Sequence, residues 1–240
     1  MPSLVSIVVP FYNEEENVRR LYERIAAVFA DLPGYAFECL LVNDGSTDGT
    51  REALGSLAAQ DDRVRPVHLA GNHGQSAALY TGMVRSRGEY ILTLDGDLQN
   101  DPADFPRFLE LLEEHACVCG YRVNRHDTVV RRASGKVANA VRNAILHDGV
   151  RDTGCGTKGF RRVCLRYFVC FNGLHRFLPV FVRMAGLSIV EVPVKHHARQ
   201  YGVSKYGIGN RLWRGLYDLI GVAWLRRRIV VVTVEEDTGP

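Results

Sequence analysis

The sequence predicts an α/β protein built on a parallel, doubly wound sheet. Short runs of branched and aromatic residues recur through the first 120 positions, most of them are followed by a stretch with helical character, and acidic or glycine-containing turns stand at their carboxyl ends. Leu4 to Val9 is the first strand and stops at Pro10. The helix after it carries Val18, Leu21, Tyr22, Ile25 and Phe29 on one face, with Asn13 and Glu16 at capping-box spacing ahead of it. Phe37 to Val42 is a second strand, and Ser46, Thr47 and Asp48 are suited to capping the helix that runs through Ala59. Val64 to Leu69 and Tyr90 to Leu94 are strands on either side of a helix from Gln75 to Val84. Pro102 opens a further helix at its first turn, and Cys117 to Gly120 is a fifth strand.

Past Gly120 the rhythm changes. A basic loop, Tyr121 to Arg132, precedes a helix from Ser134 to about Leu146. A glycine-rich segment runs from Asp152 to Phe160, and Ser188 to His196 alternates like a strand. The loop from His197 to Gly207 leads into an amphipathic helix, Ile208 to Leu225, then three arginines and a β-like run from Ile229 to Val234. Residues 1–207 are expected to form the main domain, with 1–120 and 121–207 as its halves, and 208–240 an appended helix and tail.

Charge separates the two halves. Residues 1–119 carry 9 Lys+Arg against 19 Asp+Glu, whereas residues 120–228 carry 21 against 5. Such a split suits metal chemistry in the first half and a phosphate-bearing partner for the second. Six cysteines without a CxxC pair read as reduced core thiols of a cytosolic protein. The first apolar run is too short, and lacks the basic leader, for a secretory signal. The longest late apolar run, Leu219 to Leu225, falls far short of the roughly 20 residues of a membrane span.

Three motifs fall at the ends of predicted strands: Pro10-Phe11-Tyr12-Asn13-Glu14, Asn43-Asp44-Gly45-Ser46, and Asp95-Gly96-Asp97-Leu98-Gln99. Ligands of open α/β sheets bind at that edge. Two carboxylates separated by glycine are hard oxygen ligands for Mg²⁺ or Mn²⁺, and such an ion would in turn bind a diphosphate.

The ordered set PFYNE, VNDGSTDGT, LDGDLQNDP, DTGCGTKGF and RQYGVSKY resembles the family 2 glycosyltransferases of GT-A fold, over residues 4–225. More narrowly it is similar to the polyprenyl-phosphate glycosyltransferases, the group that contains dolichol-phosphate mannose synthase. The resemblance implies an inverting transfer from a UDP- or GDP-sugar to a polyprenyl phosphate. Pro10, Tyr12, Glu14 and Asp44 would hold the nucleoside, and Asp95, Gly96, Asp97 and Gln99 the metal and diphosphate. Arg122, Arg131 and Ser134 would receive the acceptor phosphate. Arg199, Ser204 and Lys205 would belong to a mobile loop, and Asp152 would stand near the reaction centre with Asp95, Asp97 and Lys205. His175, Arg176, His196 and His197 have no role fixed by spacing. The last helix, with Trp213, Tyr217 and Trp224 beside Arg211 and Arg214, would lie on the cytoplasmic membrane surface as a peripheral attachment, or pack against the sheet or across a homodimer.

Rival functions fit less well. A saccharide or protein acceptor on the same fold is the main alternative. No nucleic-acid-binding motif accompanies the basic half, and no GxGxxG follows the first strand.

Overall fold

A computed structural model of the chain describes residues 2–123, 139–197 and 209–230. Strands β1 (Ser3–Phe11), β2 (Tyr35–Asn43), β3 (Val64–His68), β4 (Tyr90–Thr93), β5 (Cys117–Arg122), β6 (Lys158–Arg161) and β7 (Ile189–Val194) form one sheet in the order β3-β2-β1-β4-β6-β5-β7. Every neighbouring pair is parallel except β4–β6 and β6–β5, so β6 runs against the strands on both sides.

Period-two alternation explains why these runs are strands buried on both faces. In β1, Val5, Ile7, Val9 and Phe11 enter one apolar cluster, while Val8 enters the other. In β2, Phe37, Cys39 and Leu41 face the first cluster, and Leu40 and Val42 the second. Each large branched or aromatic side chain so buried contributes about 1.5–3 kcal/mol over leaving it in water. Helices α1 (Glu15–Ala30), α2 (Thr50–Ala58) and α4 (Phe105–Leu112) cover the first face. On the second lie α3 (Gln75–Arg85), α5 (described over 139–146), α6 (Leu178–Met184) and α7 (Gly209–Arg226). This is the predicted doubly wound sheet with helices on both faces.

Several local expectations change. The capping box is absent: α1 begins after Glu14, whose carboxylate accepts from Asn17 Nδ2, and Asn13 instead accepts from the Thr47 amide across to the next loop. Gly49, not the Ser46–Asp48 run, occupies the N-cap of α2, and a Cβ there would come within 2.5 Å of the Glu15 carboxylate. Asp48 still accepts from the Thr50 amide at 3.1 Å. Pro102 opens a 3-10 turn capped by Asp101, and α4 follows it. All six cysteines are free, and Cys170 is exposed rather than in the core.

The direction of β6 positions the site. Thr93 at the carboxyl end of β4 and Cys119 of β5 both pair with Lys158, the first residue of β6. The glycine-rich segment before Lys158 therefore arrives at the same sheet edge as the loops leaving β1, β2, β4 and β5.

Candidate active site

The first two strand-end motifs are laced together by backbone amides. The Asn13 amide donates to Ser46 Oγ at 3.0 Å and the Glu14 amide to Thr50 Oγ1 at 3.0 Å. Asn13 adopts φ 51°, a left-handed turn that asparagine tolerates. Asp44 is buried, and its two carboxylate oxygens accept from the His73 amide at 2.7 Å and the Gly74 amide at 2.8 Å, fixing the entry to α3. Gly45, at φ 68°, leaves room for the backbone of Gly71, which a Cβ would approach to 2.4 Å. Pro10, Tyr12 and Glu14 are half-buried along the same edge.

At the end of β4, Asp95 accepts a hydrogen bond from Gln75 Nε2 at 2.7 Å. Gly156 lies against its other side, where a Cβ would meet Asp95 Oδ2 at 2.2 Å. Gly96 is glycine because the turn packs on the ring of Phe11, 2.7 Å from where a Cβ would stand. Asp97 Oδ1 accepts from the Gln99 amide, and Gln99 joins the backbone of His197 through two hydrogen bonds, of 2.8 and 3.3 Å. Asn100 pairs with His196 in an isolated bridge, so the Asp95–Gln99 turn is tied to the residues just past β7.

Asp152 stands in the glycine-rich segment ahead of β6 and is buried. It takes Arg122 in a two-pronged ion pair, Nε to Oδ2 at 2.8 Å and Nη2 to Oδ1 at 2.9 Å. Burial opposes the Arg122 charge, but the bond to Asp152 and the nearby charges of Asp152 and Asp95 leave its pKa raised. Arg131, Ser134, Arg199, Ser204 and Lys205 lie outside the described residues.

These elements enclose a cleft of about 350 Å³, lined by Asp95, Gln75, Arg122, Gly156, Lys158 and His175 with their neighbours. The structure thus brings Asp95 and Arg122 to one cavity. It adds residues that sequence reasoning left without a role: Gln75, Lys158, His175 and Arg176. Their only signal was proximity to motifs, in Lys158's case its place inside the glycine-rich segment.

Among the described residues no three His, Cys, Asp or Glu side chains gather closely enough to hold an ion on their own. Two strand-end carboxylates beside an open cleft still fit Mg²⁺ or Mn²⁺, since such ions commonly take one or two carboxylates and complete their shell with phosphate oxygens and water.

The sequence model of glycosyl transferase family 2 matches residues 6–168. The chain belongs to this family. A dodecaprenyl-phosphate galacturonate synthase from Rhizobium johnstonii is 39% identical over 229 residues, covering 93% of this chain and 67% of the relative. An undecaprenyl-phosphate 4-deoxy-4-formamido-L-arabinose transferase from Salmonella paratyphi A is 34% identical over 218 residues, covering 90% and 66% respectively. The chain thus spans about two thirds of the length of these family members. Glucosyl-3-phosphoglycerate synthase from Mycobacterium tuberculosis, solved with Mn²⁺, UDP and glucosyl-3-phosphoglycerate, superposes with a TM-score of 0.69 at 18% identity. The superposition covers 95% of this chain and 81% of that one and confirms the GT-A fold.

Proposed function

We propose that this protein transfers a sugar from a UDP- or GDP-sugar to a polyprenyl phosphate, with inversion at the anomeric carbon. The observation that carries the reading is the cleft that brings Asp95 together with Arg122, itself paired with Asp152, in a family 2 chain with polyprenyl-phosphate sugar transferases as relatives.

In this reading Pro10, Tyr12, Glu14 and Asp44 border the nucleoside along the β1 and β2 ends, and Asp95, Gly96, Asp97 and Gln99 border the diphosphate. A bound Mg²⁺ or Mn²⁺ supplies charge stabilisation to the departing diphosphate. Arg122 orients the acceptor phosphate, with Arg131 and Ser134 from the adjoining loop. Asp152 holds the Arg122 guanidinium in place. An acceptor oxygen attacks the anomeric carbon in line as the bond to the diphosphate breaks. A phosphate monoester is already anionic near pH 7, so no strong general base is needed. Arg199, Ser204 and Lys205 belong to a loop that closes over the donor and adds a cation at the leaving group.

The acceptor brings the membrane surface with it. Tyr217, Ile220 and Trp224 of α7 are 80%, 62% and 62% exposed, beside the arginines at 226–228. Aromatic and aliphatic side chains flanked by cations suit a peripheral attachment at an anionic surface. Free cysteines agree with the reducing cytoplasmic side. Among the described residues no helix is long and apolar enough to cross a membrane.

The test is transfer itself. The chain, with Mg²⁺ or Mn²⁺ and a panel of UDP- and GDP-sugars, should form an alkali-stable or acid-labile sugar phospholipid from polyprenyl phosphate. Faster glycosylation of a neutral saccharide or protein than of any polyprenyl phosphate would overturn the reading.

A further inference from the structure

Lys158 is 3% exposed, yet among the described residues its ammonium has no carboxylate at ion-pair distance. It donates to two backbone carbonyls, Thr153 O at 3.2 Å and Cys155 O. The described groups whose ionisation it influences include the thiols of Cys117 and Cys155, whose pKa values burial pushes up and Lys158 pulls back. A buried charge is retained at a cost unless an opposite charge meets it. The cleft is the open side of Lys158, and Arg176 and His175 line the same cavity.

His175 is arranged to hold Arg176 there. Arg176 Nε donates to His175 Nε2 at 3.3 Å, which leaves Nδ1 as the protonated nitrogen facing Ser76 Oγ at 2.7 Å. Ser76 Oγ also accepts from the Gly173 amide at 3.0 Å, which anchors the turn. Among the described residues that line the cleft, Lys158, Arg122 and Arg176 are cations and Asp95 is the carboxylate, and Arg122 is paired with Asp152 behind them.

We infer that Lys158 and Arg176 form an anion subsite at the floor of the cleft, distinct from the Asp97 side, that takes a substrate anion other than the donor diphosphate. Two sources share this chemistry: a carboxylate on the donor sugar and the phosphate of the acceptor. The inference deepens the transfer reading and rests on it for the identity of the substrates, but anion binding is measured without any lipid.

The experiment is calorimetric titration with Mg²⁺ present, using UDP-glucose and UDP-glucuronate, which differ in charge at C6, or the corresponding GDP pair where GDP is the nucleotide bound. Inorganic phosphate is then titrated onto the nucleotide-loaded protein. If the sugar supplies the anion, the uronate binds at least tenfold tighter than the neutral sugar, and Lys158→Met removes that advantage while Lys158→Arg keeps most of it. If the acceptor supplies it, the two sugars bind alike, phosphate binds the loaded protein, and Lys158→Met abolishes phosphate binding. Arg176→Gln should weaken the same arm severalfold and carries the test should Lys158→Met fail to fold. Binding of both probes unchanged by the folded variants overturns the subsite. Intact anion binding without transfer to polyprenyl phosphate overturns the function alone.

Discussion

The two sides of the cleft hold their carboxylates by different means. On the β1–β2–β4 side, Asp44 is held by the amides of His73 and Gly74, Asp48 by the amide and hydroxyl of Thr50, and Asp95 by the neutral amide of Gln75. On the β5–β6 side, Asp152 is held by Arg122 and Asp148 by Arg142. Neutral donors fix an anion without cancelling its charge, whereas arginines cancel it. The charge split of the sequence thus has a local counterpart: these carboxylates of the first side keep their negative charge, and the second side pairs its few carboxylates with arginines.

Removing one member of an arginine-held pair should cost most. Asp148 is fully buried, and Arg142, at 8% exposure, also donates to Thr153 Oγ1 and Val150 O, so it stitches the loop that carries Asp152. Asp148→Ala leaves that guanidinium uncompensated and should lower stability by about 3–5 kcal/mol, read as a reduced urea midpoint. A loss below about 1 kcal/mol would show that this side is not held by its ion pairs.

On the other side the effect should fall on chemistry rather than stability. Asp97→Ala removes a charge from an edge whose backbone is independently laced, so the fold should persist. Turnover should fall about a hundred- to a thousandfold, the scale of losing one preorganised charge-stabilising group. Excess EDTA should abolish turnover of the parent protein, and undiminished turnover in EDTA would sink the metal assignment.

Gly156 joins the two sides and sharpens the contrast. It belongs to the segment before β6 but touches Asp95, and Gly156→Ala would drive a methyl group into that carboxylate. A displacement of about 1 Å should cost roughly a hundredfold in kcat/KM. The melting temperature should hardly change, because a side chain rather than backbone receives the clash. An equal loss of stability and activity would mean that the glycine serves packing alone.

Much of the first side was legible in the sequence, and little of the second. Short runs of branched and aromatic residues located β1, β2 and β4, and parallel order then placed Asp44 and Asp95 at one edge without further information. Periodicity reports which residues are buried, not which way a strand runs. The reversal of β6 was therefore invisible, and with it the arrival of Gly156 and Lys158 beside Asp95. The pairing of Arg122 with Asp152, 30 residues apart, depends on that same reversal. Asp152 and Arg122 were both singled out by the resemblance, but nothing local joined them. His175 and Arg176 read as structural because their link to the cleft runs through Ser76 on α3, 99 residues from His175.

Glu38 tests the contrast where the two means of holding a carboxylate meet. It lies buried on β2, accepting from Ser6 Oγ at 2.7 Å, from the Arg87 amide at 2.6 Å and from Arg65 Nη1 at 2.5 Å. Burial alone would raise its pKa, but these three donors together hold it below its ordinary value of 4.5. A depressed carboxylate stabilises the fold above its unfolded pKa, and that contribution is lost as pH falls through the folded value. Glu38→Gln should therefore be less stable than the parent at pH 7 by about 2 kcal/mol, the scale of charge-assisted hydrogen bonds. The difference should narrow as pH drops below 4.5, because the parent's carboxylate becomes protonated and resembles the amide. Arg65→Met should reproduce only part of the loss, since Arg65 is 29% exposed and the neutral donors remain. Urea midpoints of the three proteins at pH 7 and pH 3 decide it. A gap between parent and Glu38→Gln that stays constant to pH 3 would mean that packing, not the held charge, sets the contribution. An Arg65→Met loss equal to that of Glu38→Gln would place this carboxylate with the arginine-held class.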